Sequence, residues 1–369
     1  MATGTLEADV AVIGAGIAGV AAGYELAGTA SVLLLEAEHT PAYHTTGRSA
    51  AMFLQSYGGP AIRALTAASR ADFDAAGTLL RPRPLLWVAG AGGLPGLATL
   101  GAANPELVPL DGPGTVARCP VLRPDWCAGG LLEPGALEID VLGLHQRYLG
   151  GGRRRGMRVL VDAPVRAGAY RDGRWTLDTA AGPVRAAVVV NAAGAWADQV
   201  ARRLGLAGLG LRPLVRTIVV ARAPGLDRTL PLVTEVAEEF YFRPEGAGLL
   251  LSPADETPAE PGDVRPADEV VALALERVNA VTTLGLRSVH TAWAGLRTFA
   301  PDRVPVVGPD PVQPAFVWLA GQGGYGIQTA PALGRLAAAG VTGGTGGLLA
   351  ALATALSPAR LRGGGPAGG

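Results

Sequence analysis

The first segment whose residue types could do chemistry is the glycine-rich turn 14–19, with the sequence GAGIAG. Glycines at these spacings permit a tight turn, close approach of the backbone to a pyrophosphate, and close packing of a helix on a strand. Glu36 follows at the end of a second apolar run, where a carboxylate can accept hydrogen bonds from ribose hydroxyls. We therefore predict that this turn binds a dinucleotide; the alternative is an ordinary glycine turn.

Two further segments place small residues after an apolar run. Residues 188–196 (VVVNAAGAW) are typical of a buried strand that breaks beside an amide and an aromatic ring, and residues 321–328 (GQGGYGIQ) precede a predicted helix. The free N–H groups and positive dipole end of such a helix suit an electron-rich cofactor atom. Taken alone, each segment is equally typical of a structural turn.

Hydrophobic periodicity predicts the elements that must position these segments. Residues 9–13 and 31–35 are apolar, strand-like runs on either side of an alanine-rich helix. Residues 316–319 followed by 327–339 repeat the order strand, turn, helix near the other end of the chain. This order predicts a parallel α/β domain.

The middle of the chain has a different pattern. Residues 43–57 begin with turn formers and then favour a helix, and residues 136–149 are also predicted to be helical. Four strand-like runs between 158 and 190 predict a small antiparallel meander, and further runs between 211 and 299 predict a second sheet. We expect a sheet-containing domain that is interleaved with the first.

Composition limits the class of protein. The chain has 369 residues, and 49% of them are apolar, which is enough to bury a sizeable core. Its 31 cationic and 31 anionic side chains cancel, so it lacks the positive surface of a nucleic-acid-binding protein. None of the cations is lysine, so arginine must recognise any anion. A small-molecule partner is expected.

Cysteine usage and hydropathy predict the compartment. Cys119 and Cys127 cannot form a disulfide framework, and their surroundings in sequence do not predict a metal site. No apolar run approaches the ~20 residues that cross a bilayer. We expect a cytoplasmic protein without a transmembrane segment, and peripheral association with a membrane stays open.

Four segments, together with the turn 14–19, resemble the D-amino-acid-oxidase-type (DAO) family of FAD-dependent oxidoreductases. They are TTGRSAA at 45–51, NAAGAWAD at 191–198, HTAWAGLRTFAPD at 290–302 and GQGGYGIQTA at 321–330. Within that family the sequence is most similar to the D-arginine-dehydrogenase-like branch, through RALTAASRADFD, FYFRP, LLLSPAD and GYGIQT. The motifs span nearly the whole chain.

The resemblance implies an α/β fold, in which a Rossmann-like FAD-binding domain is interleaved with an α+β substrate domain on a mixed, largely antiparallel sheet. The expected ranges are 1–78, 136–208 and 300–345 for the FAD-binding domain, 79–135 and 209–299 for the substrate domain, and 346–369 for a disordered tail.

The resemblance also implies a noncovalent FAD, with its ADP end on the turn 14–19 and Glu36, and its flavin beside the segment 323–328. The residues expected to hold it are Gly14, Gly16, Ile17, Ala18, Gly19, Glu36, Arg48, Ser49, Ala50, Val165, Ala193, Gly194, Trp196, Gly323, Gly324, Tyr325, Gly326, Ile327 and Gln328.

On the substrate side, the resemblance assigns four catalytic residues. Arg216 and Arg297 match a pair of arginines that clamps the substrate carboxylate, and a planar guanidinium suits that role because it can bind a carboxylate with two hydrogen bonds. Tyr57 and Tyr241 match tyrosines of the family's substrate pocket. Without the resemblance, each arginine is more typical of an ion pair and each tyrosine of core packing. The expected pocket also includes Met52, Leu85, Gly295 and Tyr325.

Two positions depart from the family pattern. Met52 stands where the relatives carry a histidine near the reacting amine, and a thioether cannot exchange a proton. Leu85 and Leu86 follow Arg83 and Pro84 where the relatives place a carboxylate for a basic substrate side chain. An apolar pocket cannot compensate a desolvated guanidinium, so we expect an apolar D-amino acid rather than D-arginine or D-lysine.

The activity that the resemblance implies is oxidation of the CH–NH bond of a D-amino acid by hydride transfer to flavin N5, giving an imine and then a keto acid and ammonia. Absence of lysine favours a dehydrogenase that passes electrons to a quinone or another acceptor. Three alternatives stay open: an amine oxidase of glycine or sarcosine type or a biosynthetic tailoring flavoenzyme, a noncatalytic flavin-binding subunit, and a 2-hydroxy-acid dehydrogenase.

Overall fold

The structure, a computed structural model, describes residues 4–344 and 348–362. Its α-helices are α1 (Ile17–Leu26), α2 (Pro60–Ala76), α3 (Leu94–Ala103), α4 (Gly112–Arg118), α5 (Val141–Arg154), α6 (Ala197–Arg203), α7 (Asp268–Val281), α8 (Gly326–Thr342) and α9 (Leu348–Leu356). Its strands are β1 (Leu6–Ile13), β2 (Val32–Leu35), β3 (Met52–Phe53), β4 (Leu80–Pro82), β5 (Leu85–Ala89), β6 (Val108–Asp111), β7 (Gly129–Glu133), β8 (Leu137–Ile139), β9 (Arg158–Leu160), β10 (Val165–Arg171), β11 (Arg174–Thr179), β12 (Gly182–Asn191), β13 (Arg212–Arg222), β14 (Leu232–Glu235), β15 (Tyr241–Glu245), β16 (Gly248–Ser252), β17 (Thr257–Pro258), β18 (Val289–Phe299), β19 (Val306–Pro309) and β20 (Phe316–Ala320).

The first sheet has the parallel centre that the glycine turn requires. Its order is β10-β11-β12-β1-β2-β9, and β20 joins β12 while β19 joins β20. The strands β12, β1, β2 and β9 run parallel, β20 runs parallel to β12, and the meander β10-β11-β12 is antiparallel. The carboxyl end of β1 therefore delivers the turn 14–19 to the edge where ligands bind in open α/β sheets.

Both faces of this sheet are covered, which explains its continuous apolar strands. Val10 and Val12 belong to one buried cluster with helices α1 and α8, whereas Ala11 and Ile13 belong to a second cluster on the opposite face. Successive side chains of a strand point to opposite faces, so one run feeds two cores.

The second sheet is larger and mostly antiparallel. Its order is β17-β13-β16-β15-β14-β5-β7-β6, with β18 paired to β13, and only the β5–β14 pair is parallel. Strands β13 and β18 run together over residues 212–221 and 289–299. A third, three-stranded sheet has the order β3-β8-β4. The predicted fold class is confirmed; the boundaries between its two domains stay a prediction.

Two helix predictions are wrong in part. Residues 43–57 contain a 3₁₀ turn at Thr45–Arg48 and the short strand β3, with no α-helix. Contacts with β18 decide this, since Thr45 Oγ1 donates to Leu296 O at 2.7 Å and Trp293 Nε1 donates to Arg48 O at 3.1 Å. In the range 136–149, strand β8 comes first, and the helix begins only after the N-cap Asp140.

The predicted disorder of 346–369 is wrong for residues 348–362. Helix α9 and a 3₁₀ turn at Pro358–Leu361 lie there, because Leu352 and Leu356 are buried in the core of the first sheet. Arg360 also pairs with Asp302 at 2.7 Å. Residues 346, 347 and 363–369 lie outside the described residues. Within the described ranges, no helix is both long and apolar enough to cross a membrane.

Candidate functional site

Three neighbouring cavities lie in the region where the two larger sheets meet. The nucleotide-end cavity is lined by Glu36 and Trp196, the central cavity by both glycine-rich segments, and the apolar cavity by residues of β3, β5 and β14. Gly16 and Gly194 line both the nucleotide-end and the central cavity, and Ala50 lines both the central and the apolar cavity. Shared walls make the three cavities one elongated cleft.

The turn 14–19 has no room for larger residues. Gly14 has φ of 101°, and a Cβ there would lie 2.6 Å from the carbonyl oxygen of Ala192. A Cβ on Gly19 would lie 1.8 Å from the carbonyl oxygen of Gly14. Helix α1 begins directly after Gly16, which provides no side-chain cap, and Ile17 N donates to Thr46 Oγ1 at 3.0 Å. The turn therefore presents a helix N-terminus to the cleft.

Glu36 is fixed at the nucleotide end. Its Oε2 accepts from Ala15 N at 2.7 Å and its Oε1 accepts from Glu38 N at 3.0 Å. His145 Nε2 lies 2.9 Å from Ala15 O, an acceptor, so this nitrogen carries hydrogen. Burial lowers the pKa of His145, so the ring stays neutral. The carboxylate of Glu36 borders the cavity with lone pairs left for further donors.

Aromatic rings form the outer wall of the nucleotide-end cavity. The His44 and Trp196 rings have centroids 4.6 Å apart, and His44 Nε2 lies 2.9 Å from Glu38 Oε1. Val165 and Ala193 line the same cavity. His44 is a wall residue that sequence analysis missed, because it belongs to none of the glycine-rich motifs.

A second helix N-terminus meets the central cavity. Helix α8 begins at Gly326, and its N-cap Tyr325 makes no side-chain cap. A Cβ on Gly323 would lie 2.2 Å from the ring of Phe299, and one on Gly324 would lie 2.8 Å from the guanidinium of Arg297. The glycines thus bring the helix to the cleft at the closest approach that the neighbours allow.

Orphaned polar atoms test whether the cleft suits FAD. Thr298 Oγ1 and Gln322 Nε2 are buried and have no hydrogen-bond partner among the described residues. Both residues line the central cavity, between the two helix N-termini. Unpartnered buried groups are costly, so they indicate a missing polar ligand. A pyrophosphate at the helix ends and a heteroaromatic ring at the orphaned groups fit this donor set.

Arg216 and Arg297 meet at the boundary of the central and apolar cavities, both of which they line. They project from the paired strands β13 and β18, where Leu214 is opposite Arg297. Arg216 is 7% exposed; its Nε donates to Asp255 O at 2.9 Å and its Nη2 lies 3.3 Å from Glu256 Oε1. Burial, and next the charge of Arg297, lower the pKa of Arg216.

Arg297 is less committed to other groups than Arg216. Burial lowers the pKa of Arg297, but Tyr57 and Tyr241 raise it more, so it lies above its ordinary value and the group is charged. In the ranges 4–344 and 348–362, no carboxylate forms an ion pair with Arg297. Its charge therefore faces the cleft, where it can bind an anionic ligand.

Two tyrosines complete the polar part of the apolar cavity. Tyr57 packs against the ring of Tyr325 at 4.9 Å, and its hydroxyl donates to Glu238 Oε2 at 3.3 Å. Burial raises the pKa of Tyr57, so the phenol stays protonated. The Tyr241 hydroxyl is buried without a partner among the described residues. A ligand could satisfy it.

The remaining wall is apolar and joins distant parts of the chain. Met52 and Leu85 line this cavity as predicted. Sequence analysis missed five further wall residues: Leu54, Trp87, Leu232, Thr234 and Glu238. Nothing in their local sequence marks them, because strands β3, β5 and β14 become neighbours only in the folded chain.

Several predicted site residues have other places or partners. Gly295 lines the central cavity, and Tyr325 contacts the apolar cavity through Tyr57. The Gln328 side chain bonds to Leu54 N and Thr66 Oγ1. Six predicted cofactor residues line the central cavity together with a seventh, Arg48: Ile17, Ala18, Ser49, Ala50, Gly326 and Ile327.

Arg48 lines the central cavity, but its guanidinium reaches outward. Its Nη1 donates to Ala294 O at 2.8 Å, and its Nη2 pairs with Asp263 Oδ1 at 2.5 Å. The side chain therefore fastens the segment before β3 to strand β18 and to the loop that contains Asp263.

Comparisons with known proteins agree with this geometry. A family model described as "DAO: FAD dependent oxidoreductase" matches residues 9–340. Mitochondrial dimethylglycine dehydrogenase of Rattus norvegicus is 31% identical over 241 residues, which are 58% of this chain and 28% of that protein. Glycine oxidase of Geobacillus kaustophilus is 31% identical over 165 residues, which are 44% of this chain and 42% of that protein.

The solved structure of glycine oxidase from Geobacillus kaustophilus has the same fold. It superposes with a TM-score of 0.82 and 24% identity, and the superposition covers 93% of this chain and 96% of that one. The matched segments of the curated relatives span less than half of their own lengths.

Proposed function

Because the chain belongs to the family of FAD-dependent oxidoreductases, we propose that it oxidises the carbon–nitrogen bond beside the carboxylate of a small amino acid, of the glycine or N-methylglycine type. The observation that carries the proposal is the pair Arg216 and Arg297 at the boundary of a cofactor-sized cleft and a closed apolar cavity. The names of the similar proteins, dimethylglycine dehydrogenase and glycine oxidase, support this substrate class.

The cofactor is FAD, and when bound it supplies the acceptor for the two electrons and the hydrogen that leave the substrate carbon. We assign its pyrophosphate to the N-terminus of α1 beside Gly16, its ribose to Glu36, and its ring to the central cavity near Thr298 and Gln322. The cofactor residues expected from the sequence keep their assignments within this proposal.

The residues of the chain orient the substrate and exclude water. Arg297 and Arg216 hold the carboxylate, and the hydroxyl of Tyr241 donates to the same group. Two positive charges near the amine favour its neutral form, whose lone pair is needed when hydrogen leaves the neighbouring carbon. Met52 cannot take the ammonium proton and Tyr57 stays protonated, so that proton leaves through water.

A second candidate substrate is an apolar D-amino acid, as the D-arginine-dehydrogenase-like motifs suggest. The wall of Met52, Leu54, Leu85, Trp87 and Leu232 favours it, because it has no role for a substrate without a side chain. A dehydrogenase that uses a quinone or another acceptor is favoured over an oxidase, since no lysine is present to activate oxygen.

Anaerobic mixing of the FAD-loaded protein with glycine, sarcosine, dimethylglycine, D-leucine, D-methionine and D-arginine tests the proposal. Loss of the oxidised-flavin absorbance with the first three supports it, and loss with D-leucine or D-methionine alone favours the second candidate. Arg297→Ala should raise the substrate KM by about 100-fold, since a buried charged pair is lost. Arg222→Ala, an exposed arginine at the end of β13, is the matched control. If no member of the panel reduces the flavin, the proposal fails and a noncatalytic flavin protein is favoured.

A further inference from the structure

A carboxylate of the chain lies at the wall of the apolar cavity. Glu238 is in the turn between β14 and β15, where its backbone is exposed, and its side chain lines the cavity that Arg216 and Arg297 also line. Its Oε2 accepts a hydrogen bond from Tyr57 Oη at 3.3 Å. The cavity is therefore not purely apolar and cationic.

The turn contains three glutamates, and only this one borders the cavity. Glu235 Oε2 accepts from Ala237 N at 2.6 Å, so Glu235 stabilises the turn itself. Glu239 is exposed, and its carbonyl oxygen accepts from Arg277. Glu238 has φ of 57°, a left-handed conformation that glycine or asparagine adopts at lower cost. Backbone strain of this kind is found at functional sites.

The charge of Glu238 is not neutralised within the described part of the chain. No arginine or histidine there forms an ion pair with it, although Arg216, Arg243 and Arg303 each pair with another carboxylate. A phenol hydroxyl is its partner instead. A group of opposite charge that enters the cavity would gain an attraction that the empty protein does not supply.

We propose that Glu238 is a specificity-determining residue, which selects ligands that carry a positive charge next to their carboxylate over plain carboxylates. The ligand carboxylate is drawn to Arg216 and Arg297, and its cationic nitrogen is drawn toward Glu238. A carboxylate without a cation meets the same arginines but gains nothing from Glu238 and is repelled by it.

This inference rests on the proposed function and narrows its substrate class to ammonium carboxylates. It also corrects the expectation of a pocket without a carboxylate. The strand position after Arg83 and Pro84 carries leucines as the sequence says, but the β14–β15 turn brings a carboxylate from a region about 150 residues further along the chain.

Two ligands of equal shape test the proposal. Trimethylglycine and 3,3-dimethylbutanoate differ only by a positively charged nitrogen in place of a carbon, so the ratio of their dissociation constants isolates the effect of that charge. The FAD-loaded protein is titrated with each, and the change in flavin absorbance gives Kd. We expect wild type to bind trimethylglycine more tightly, and Glu238→Gln to reduce this preference about tenfold. Glu239→Gln, one residue away, should leave it unchanged.

A second variant protects the test against loss of folding. Glu238→Asn suits a backbone with positive φ and should lose the preference in the same way. If both variants bind the two ligands in the wild-type ratio, the inference is overturned while the carboxylate clamp stands. If neither ligand binds wild type and no amine of the substrate panel reduces the flavin, the proposed function fails and the inference fails with it.

Discussion

The two ends of the cleft are built in different ways. At the nucleotide end, the backbone of one contiguous turn makes the contacts, and Gly14 and Gly19 are required because a Cβ would collide with main-chain atoms. At the substrate end, the contacts come from side chains of β3, β5, β13, β14 and β18, which are far apart in sequence. The first end depends on space that must stay empty, and the second on polar groups that must be brought together.

This difference predicts different responses to mutation. A change at the nucleotide end should act on the fold and on retention of FAD, since the glycine turn joins β1 to α1. A change at the substrate end should act on ligand binding and leave the cofactor in place. Three substitutions test this comparison.

Gly19→Ala should have the largest effect. Its new Cβ would lie 1.8 Å from the carbonyl oxygen of Gly14, which belongs to the backbone and has little freedom to move. We expect a loss of about 3 kcal/mol in unfolding free energy, together with loss of bound FAD. Thermal unfolding and the FAD retained after gel filtration measure the two effects. Gly28→Ala is the control because nothing lies within 4 Å of its Cβ. Wild-type retention of FAD by Gly19→Ala would contradict this account of the turn.

Tyr241→Phe should have an intermediate effect, with opposite signs for stability and binding. Its hydroxyl is buried without a partner among the described residues, so removing it should leave the free energy of unfolding unchanged or raise it by about 1 kcal/mol. The same change should weaken binding of a carboxylate ligand about tenfold, since one donor to the ligand is lost. Chemical denaturation and flavin-monitored titration give the two values.

The matched control for Tyr241→Phe is Tyr170→Phe, at a partly exposed tyrosine of the meander. It should change neither quantity. A clear loss of stability in Tyr241→Phe, without any change in ligand affinity, would show that the hydroxyl serves the fold rather than the ligand.

Glu133→Gln should have the smallest effect, and its size should depend on pH. Burial raises the pKa of Glu133, whose carboxyl accepts from Gln55 N and Ser56 Oγ beside Tyr57. The folded state therefore holds its proton more tightly than the unfolded state, and this contribution is full below the ordinary pKa of 4.5 and is lost as pH rises through the folded-state pKa.

Glutamine cannot lose that proton, so Glu133→Gln should flatten the decline in melting temperature above pH 4.5, with FAD binding unchanged. Melting curves from pH 4 to pH 8 measure it. Parallel curves for the variant and wild type would mean that Glu133 titrates alike in both states.

Residues close in sequence allowed much of the cofactor side to be predicted. The turn 14–19, Glu36 and the segment 321–328 each combine a β-branched run with glycines, and the structure places all three along one cleft. The segment 43–57 could not be predicted in the same way, because its hydrogen bonds go to strand β18, about 250 residues away. The same holds for residues 348–362, whose leucines are buried only when the core of the first sheet is present.

The amino-acid sequence by itself determined the α/β class, the glycine turn and the choice of arginine as the cation that recognises anions. These properties follow from steric limits and composition, which do not depend on distant contacts. Only the tertiary structure decided which side chains share the apolar cavity, that Glu256 holds Arg216, and that Glu238 brings a negative charge to the substrate. Side chains from separate strands meet through long-range pairing, and no local pattern records where a strand will find its neighbour.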